Sequence, residues 1–147
     1  MSIEQFKLGM DGKLYYGAES ALLAAMTELT NVKDVTVTQE KGEADVTTRA
    51  NSGYRGTTGT LKECTIEFQM LFKPSDAGFQ AIRNAYYNNT LVSLCPLSGA
   101  KDAAGSEGIK GDFSILGFTK GEPLEEAQTV DVTAKMSVFE EYVEVAS

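Results

Sequence analysis

The sequence predicts a mainly β protein: an antiparallel β-sandwich or barrel with one flanking α-helix at about residues 75–88 and a long extended loop or hairpin at about residues 39–61. Apolar and polar residues alternate along residues 62–72 and again along 129–138, which is the two-residue period of a strand with one packed face. The predicted helix carries the one clear apolar stripe with helical spacing. The chain length suits a single domain over residues 1–147.

The N-terminal 30 residues have the least regular pattern. We treat residues 1–30 as an N-terminal arm to which the sequence assigns little structure, apart from a short strand at Lys13–Tyr16. Residues 18–29 are rich in Ala and Leu, so propensity favours a helix there. They lack a stop signal, however, and a loop with one helical turn fits equally well.

The segment 34–56 is rich in Val and Thr and predicts a pair of strands. Val35 and Val37 alternate with threonines, and a return strand is expected at Val46–Thr48. Lys41–Glu43 lies between them as either a tight turn or a bulge. The segment is too polar to be buried in a core, so we expect it to pair with another protein surface.

The clearest strand covers residues 62–72, and its two faces differ sharply in polarity. One face packs and the other meets water or a partner. The apolar face carries Cys64, Ile66, Phe68, Met70 and Phe72, and the polar face carries Glu63, Thr65, Glu67 and Gln69.

The helix is predicted to begin with Ser75 as N-cap and Asp76 complementing the helix dipole, and to end near Asn88-Asn89. Further strands are expected beyond it. They cover residues 91–95, stopped by Pro96, then 113–118 and 130–138, with a glycine-rich loop at 98–108 after the first.

The composition argues against catalysis. The chain has no histidine, which removes Ser-His-Asp and Cys-His triads and His-ligated metals. Ser98–Lys101 fits the S-x-x-K pattern of penicillin-recognising enzymes but lacks the partner motifs of that class. A net charge of −8 disfavours a phosphate-binding groove. We therefore expect no enzyme activity, no cofactor and no metal.

The same composition indicates the cellular setting. No apolar run is long enough to cross a bilayer, and the first residues do not form a signal peptide, so we expect cytoplasmic synthesis without membrane attachment. Cys64 and Cys95 are expected to be free, buried thiols, with a disulfide between neighbouring strands as the alternative.

Six motifs occur in a fixed order along the chain: Asn31–Val37, Glu40–Arg49, Asn51–Arg55, Gly59–Lys62, the helix Gly78–Asn89 and Glu122–Thr133. This ordered set resembles the major tail (tail tube) proteins of long-tailed bacteriophages. The resemblance covers roughly residues 30–145 and implies a β-sandwich with one flanking helix.

The resemblance implies a structural subunit of a phage virion tail, made in the host bacterial cytoplasm. Such subunits assemble into hexameric rings that stack into a hollow conduit for DNA during ejection. The implied partners are copies of the chain itself and the tail terminator, tape-measure and baseplate proteins, while DNA passes without specific binding. Two alternatives stay open: a tube subunit of a contractile secretion or injection apparatus, and a monomeric β-sandwich that binds a ligand.

The resemblance also places candidate site residues. Residues 39–61 occupy the position of the family's loop that reaches the next ring, and two strands of ~11 residues would reach roughly 35 Å. The candidate inter-subunit residues are Lys41, Glu43, Asp45, Thr47, Thr48, Arg49, Tyr54 and Arg55. The candidate lumen residues, chosen because an acidic lining repels DNA, are Glu63, Glu67, Gln69 and Asp131, with Thr65 and Thr133 on the same strand faces.

Overall fold

A computed structural model describes residues 8–146; residues 1–7 of the predicted N-terminal arm and residue 147 lie outside the described part. The predicted mainly β fold with one flanking helix is confirmed. No helix of the described part is long and apolar enough to span a membrane. The elements are β1 (Lys13–Gly17), β2 (Thr27–Glu28), β3 (Val32–Asp45), β4 (Thr57–Leu71), α1 (Ala77–Asn88), β5 (Leu91–Leu97), β6 (Glu107–Gly121) and β7 (Thr129–Glu144).

The seven strands within residues 8–146 join one antiparallel sheet in the order β2-β1-β5-β6-β7-β4-β3. Strand twist curls this sheet until its two ends face each other. A groove of about 1050 Å³ lies between the two ends. It is lined on one side by Leu14 of β1 and Leu97 of β5, and on the other by Val35 and Val37 of β3. One hydrogen-bonded sheet therefore supplies both facing sides of the fold.

The core lies between the curled sheet and α1. The helix buries Phe79, Ile82 and Ala85, and the half-exposed Tyr86 stacks on Phe118 of β6 with ring centroids 5.6 Å apart. The predicted helical stripe is thus confirmed. The predicted apolar face of β4 is buried as well, and each fully buried aliphatic or aromatic side chain contributes about 1.5–3 kcal/mol to folding.

The helix ends differ in detail from the prediction. Asp76, rather than Ser75, is the N-cap, and its Oδ2 accepts a 2.9 Å hydrogen bond from the Phe79 amide. The prediction for Ser75 was wrong because the chain still turns at this point, with the Asp76 amide donating to the Lys73 carbonyl. The helix ends at Asn89, which takes the left-handed conformation (φ 56°) that asparagine tolerates.

The Ala-rich segment 18–29 forms a loop with a single 3₁₀ turn at Leu23–Ala25 and the short strand β2, so the second of the two predicted alternatives is the correct one. The ammonium of Lys101 holds this loop, since its Nζ donates to the carbonyl oxygen of Met26 at 2.6 Å. The loop is therefore fixed by a distant lysine rather than by its own helix propensity.

Several predicted strand limits were wrong. The strand expected at 113–118 spans Glu107–Gly121, and the one expected at 130–138 continues to Glu144. Strand β5 continues through Pro96 to Leu97, because its ladder to β6 ends at the Leu94–Gly111 pair and the missing amide hydrogen of Pro96 has no β6 partner to lose. The return strand expected at Val46–Thr48 instead begins at Thr57. The tip described below explains this shift.

The cysteine prediction is confirmed: Cys64 and Cys95 are buried and free. Burial raises the pKa of the Cys95 thiol to about 12 and also raises that of Cys64. Both groups therefore stay protonated at neutral pH and behave as small apolar core residues.

Candidate assembly surfaces

A two-stranded ribbon leaves the sheet where β4 parts from β7. Strand β4 pairs with β7 only from Thr65, opposite Lys135, to Leu71, whereas it pairs with β3 as far as Asp45–Thr57. Residues 39–64, here called the arm, thus form a hairpin with no third strand among the described residues. The outer backbone edges of both its strands are open, which is the condition under which a strand pairs with another chain.

The arm contains the bulge that the sequence left open at Lys41–Glu43. The strand register shifts between Lys41 and Glu43, so the tight-turn alternative is wrong. A Cβ at Gly42 would lie 2.5 Å from Thr60 Oγ1, so a larger residue there would require the Thr60 side chain to rotate away. The bulge bends the ribbon and ends the simple alternation of faces.

Residues 46–56, here called the tip, close the arm. The Asp45 carboxylate accepts a 2.9 Å hydrogen bond from the Thr47 amide, and the Thr47 hydroxyl accepts one of 2.9 Å from the Gly56 amide. These bonds satisfy backbone groups that a continuing strand would otherwise use, which explains why Val46–Thr48 is not a strand. The hydrogen bonds from Thr47 lower the pKa of Asp45 below its ordinary value.

The predicted inter-subunit residues all lie on the exposed arm and its tip. Asp45 and Thr47 bond to each other and so shape the tip, while Arg49, Tyr54 and Arg55 extend from it without an ion pair in the described part of the chain. Sequence reasoning missed Leu61, whose side chain is 83% exposed although it lies in a strand.

Like charges face each other across the arm. Glu40 is directly opposite Glu63, and Lys41 is directly opposite Lys62. Such pairs weaken an isolated ribbon, because each charge meets another of the same sign at short range. The arm is therefore better suited to a surface that supplies opposite charges than to standing alone.

The predicted lumen residues lie on one sheet face, opposite the core. Gln69 pairs across the strands with Asp131, and its Nε2 donates to Asp131 Oδ1 at 3.0 Å. Glu67 lies on the same face between Thr65 and Gln69, directly opposite Thr133 of β7. The strand register brings these side chains together, as the period-2 pattern predicted.

Sequence reasoning missed part of this polar face. Glu40 joins it from β3, opposite Glu63, and two lysines lie on it as well, Lys33 opposite Gln69 and Lys135 opposite Thr65. The alternation of side chains along β3 and β7 would have assigned these residues to the polar face only after the cross-strand register was known. The face carries more acids than lysines and is therefore negative overall.

A second open edge belongs to β7. Beyond Lys135 this strand pairs with β6 alone, since β4 has left the sheet. Val138, Phe139 and Tyr142 are exposed along that stretch. An open edge with exposed apolar side chains is a surface suited to another polypeptide.

A buried ion pair lies next to the open edge of β7. The Lys110 side chain of β6 is only 2% exposed, and its Nζ lies 2.5 Å from Oε2 of Glu140. By contrast, the ion pair of Lys120 and Glu122 at the β6–β7 turn is exposed, at 3.6 Å. In residues 8–146 no group of three or more His, Cys, Asp or Glu residues is arranged to hold a metal ion.

Neither a family model nor a curated protein sequence matches the chain. Solved structures do. The tail of an empty gene transfer agent particle, refined with C6 symmetry, has a TM-score of 0.72 at 14% identity, covering 96% of this chain and 100% of that one. The SPP1 tail tube has a TM-score of 0.74 at 16% identity, covering 95% of this chain and 80% of that one.

A more distant similarity is to a chain of the anti-feeding prophage baseplate. Its TM-score is 0.60 at 5% identity, with 99% of both chains covered. At these identities the backbone arrangement is shared over nearly the whole chain while the sequence is not.

Proposed function

Because the chain has the fold of tail tube proteins, we propose that it is a structural subunit of a phage tail tube. The observation that carries the proposal is the arm: a hairpin that leaves the sheet with both edges open and like charges opposed. A monomeric protein gains nothing from such an element, whereas a subunit of a stack uses it to hold the next copy.

Two surfaces serve two directions of assembly. The arm, including Lys41, Glu43, Thr48 and Tyr54, contacts the next ring of copies. The open edge of β7 beyond Lys135 joins neighbours within one ring, where strand pairing and the burial of exposed apolar side chains act together. Hexameric rings are proposed on the likeness to the gene transfer agent tail, whose refinement used C6 symmetry.

The polar face lines the lumen. Glu63, Glu67, Gln69 and Asp131 share this face, and its net negative charge repels the phosphate backbone of DNA, which passes during ejection without being held. The core lies on the opposite side of the same strands, so this face is free for the channel. A reconstruction of the assembled tube with these residues on the outer surface contradicts the assignment.

The remaining partners and the location follow from this role. The chain is assembled in the host bacterial cytoplasm, becomes part of the virion tail, and meets the tape-measure protein inside the tube and the terminator and baseplate proteins at its ends. The subunit acts without catalysis or a cofactor. A tube of a contractile secretion apparatus is the second candidate, supported by the weaker likeness to the prophage baseplate chain.

Deletion of residues 43–57 tests the proposal. Gly42 then joins Thr58, and the opposed pair Lys41–Lys62 is closed by a short glycine-containing loop, a length that hairpins accept. We expect a subunit with unchanged circular dichroism and cooperative unfolding that no longer forms tubes in negative-stain microscopy of concentrated protein. The wild-type chain, treated identically, forms rings or tubes.

A second variant separates the chemistry of the tip from the length of the arm. It replaces residues 46–56 with a Gly/Ser segment of equal length and is also expected to fold without forming tubes. If the wild-type chain stays monomeric at every concentration, the tube proposal is wrong. The rival ligand-binding module then gains support, with the groove beside Leu14 and Val37 as the place to look for its ligand.

A further inference from the structure

The two ends of the long strands carry opposite charge. The tip (residues 46–56) contains Arg49 and Arg55 and no acidic residue. The β6–β7 turn (residues 122–128) contains Glu122, Glu125 and Glu126 and no basic residue. This segregation is not a consequence of the overall charge of −8, which on its own would make both ends acidic.

These two charged segments lie at opposite ends of one strand. Strand β4 begins at Thr57, directly after the tip, and ends at Leu71. Leu71 is paired with Thr129, the first residue after the β6–β7 turn. At ~3.3 Å per residue the strand separates the tip from the turn by roughly 45 Å. The subunit is therefore polar along the strand axis, basic at one end and acidic at the other.

Both segments are built to be contacted. Each presents a large exposed side chain among its charges, Tyr54 at 75% exposure on the tip and Leu124 at 100% on the turn. The tip is closed by its own bonds, including one from Asn51 Nδ2 to the Tyr54 carbonyl oxygen at 3.0 Å. It is thus shaped before any partner arrives, which reduces the entropy lost on docking.

The β6–β7 turn carries exposed carboxylates that are available to a partner. Glu122 lies 3.6 Å from Lys120, which neutralises part of its charge. Glu125 and Glu126 are exposed and make no ion pair with any residue in 8–146. A basic partner segment would find two unpaired carboxylates beside a fully exposed leucine.

We propose that the tip of one copy docks on the β6–β7 turn of the next copy in the stack. Arg49 and Arg55 face Glu125 and Glu126, and Tyr54 packs against Leu124. This inference rests on the proposed tube function and names the two surfaces that meet between rings. The contact is head to tail, so it does not close on itself and extends into a filament. Opposite charges set its polarity and disfavour tip-to-tip and turn-to-turn encounters.

Charge reversal tests the contact. The tip variant Arg49→Glu/Arg55→Glu and the turn variant Glu125→Lys/Glu126→Lys each place like charges across it. We expect each to raise the protein concentration needed for tubes by at least about tenfold. The chain that carries all four substitutions restores opposite charges and is expected to form tubes again, within about threefold of the wild-type concentration.

Two controls make the result specific. Circular dichroism and thermal unfolding of each variant check that the subunit is folded. Glu19→Lys/Asp102→Lys makes the same charge change as the turn variant at exposed loop positions outside both ends, and it is expected to leave tube formation unchanged. Sedimentation and negative-stain microscopy measure assembly.

The outcomes separate this contact from the tube proposal itself. If the wild-type chain forms tubes but the turn variant does so equally well, the tip docks elsewhere and the proposed contact is wrong while the tube function stands. Failure of the fourfold variant to assemble, although folded, also overturns the contact. If the wild-type chain forms no tubes, both proposals fall together.

Discussion

The two halves of β4 differ in burial and in the number of strands that pair with them. From Cys64 to Met70 every second side chain is buried, and from Thr65 onward the strand is paired on both sides, with β3 and β7. From Thr57 to Glu63 the same strand continues in the same direction with every side chain exposed and β3 as its one described neighbour. Strand geometry is common to both halves; burial and a second neighbour are not.

This difference shows that β structure and core membership are separate properties of the strand. The outer half extends only as far as β3 accompanies it, and its side chains contribute little to the free energy of unfolding. The inner half contributes through apolar burial. A hairpin of this kind can change its side chains freely with respect to stability, so selection for a partner surface can act on it alone.

The largest expected effect comes from two matched truncations on this one strand. Ile66 is 0% exposed and Leu61 is 83% exposed, five positions apart. We expect Ile66→Ala to lower the free energy of unfolding by about 2–5 kcal/mol, because it leaves a cavity in the core. Leu61→Ala is expected to change it by less than about 0.5 kcal/mol. Urea unfolding of both variants measures the difference.

If Ile66→Ala and Leu61→Ala lower the free energy of unfolding by similar amounts, the proposed difference between the two halves of β4 is wrong. A cost above about 1.5 kcal/mol for Leu61→Ala would mean that the arm folds back onto the body of the subunit in solution. A small cost for Ile66→Ala would mean that the core relaxes around the missing atoms. The slope of the urea dependence should be equal in both variants, since neither changes the surface exposed on unfolding by much.

A buried and an exposed ion pair allow the same comparison for charged side chains. The expected effect on the free energy of unfolding is smaller than that of Ile66→Ala. Glu140→Gln removes the partner of the buried Lys110, whereas Glu122→Gln removes that of the exposed Lys120. We expect the first to cost about 2 kcal/mol, below the value for a fully buried pair because the Glu140 side chain is 23% exposed. The second is expected to cost less than about 0.5 kcal/mol.

Thermal and urea unfolding at low and high salt check this pair. Salt should weaken the effect of the exposed substitution further and leave that of the buried one nearly unchanged. Equal costs for the two substitutions would show that Lys110 finds another partner when Glu140 is neutralised.

Much of the fold was predictable from the sequence, because alternation reports directly on which side chains are buried. The alternation in residues 62–71 and 129–136 predicted the strands and their faces correctly, and the stripe of Phe79 and Ile82 predicted the helix. Phe72 lies beyond the end of β4, and Val138 is exposed because the register to β6 shifts before it. Strand ends were not predictable, since they depend on neighbours. Pro96 stays in β5 because the ladder to β6 has already ended, which no local pattern reveals.

The candidate surfaces were predictable in position but not in detail. The polarity of the arm showed that it lies outside the core. Sequence alone did not show that Glu40 lies opposite Glu63, because the bulge at Gly42 shifts the register of everything beyond it. It also did not show that Asp45 bonds to Thr47 and ends the strand. The first feature arises from strand pairing, which a linear pattern does not contain. The second is a local hydrogen bond between residues two positions apart, which competes with the strand ladder.

The smallest expected effect is that of acid on the stability of the closed tip, and we expect it to be confined to the tip. Hydrogen bonds from Thr47 lower the pKa of Asp45 below its ordinary value. Because the pKa of Asp45 is lower in the folded state than in the unfolded chain, the ionised carboxylate stabilises the closed tip at pH values above the unfolded-state pKa. This stabilisation is lost as the pH falls through the folded-state pKa. Because Asp45 is fully exposed, we expect global unfolding at neutral pH to be insensitive to Asp45→Asn, while the tip alone responds to acid.

Amide hydrogen exchange and NMR shifts of Thr47 and Gly56 between pH 5 and pH 2 measure this local opening, with pH values chosen to span the ordinary carboxyl range. In the wild-type chain both amides should lose protection as Asp45 takes up its proton. In Asp45→Asn the side-chain oxygen still accepts from Thr47, so protection should persist but no longer vary with the Asp45 titration. If the measured pKa of Asp45 is not lower than that of an ordinary aspartate, the carboxylate does not hold the tip. The arm would then be shaped by its partner and not before it meets one.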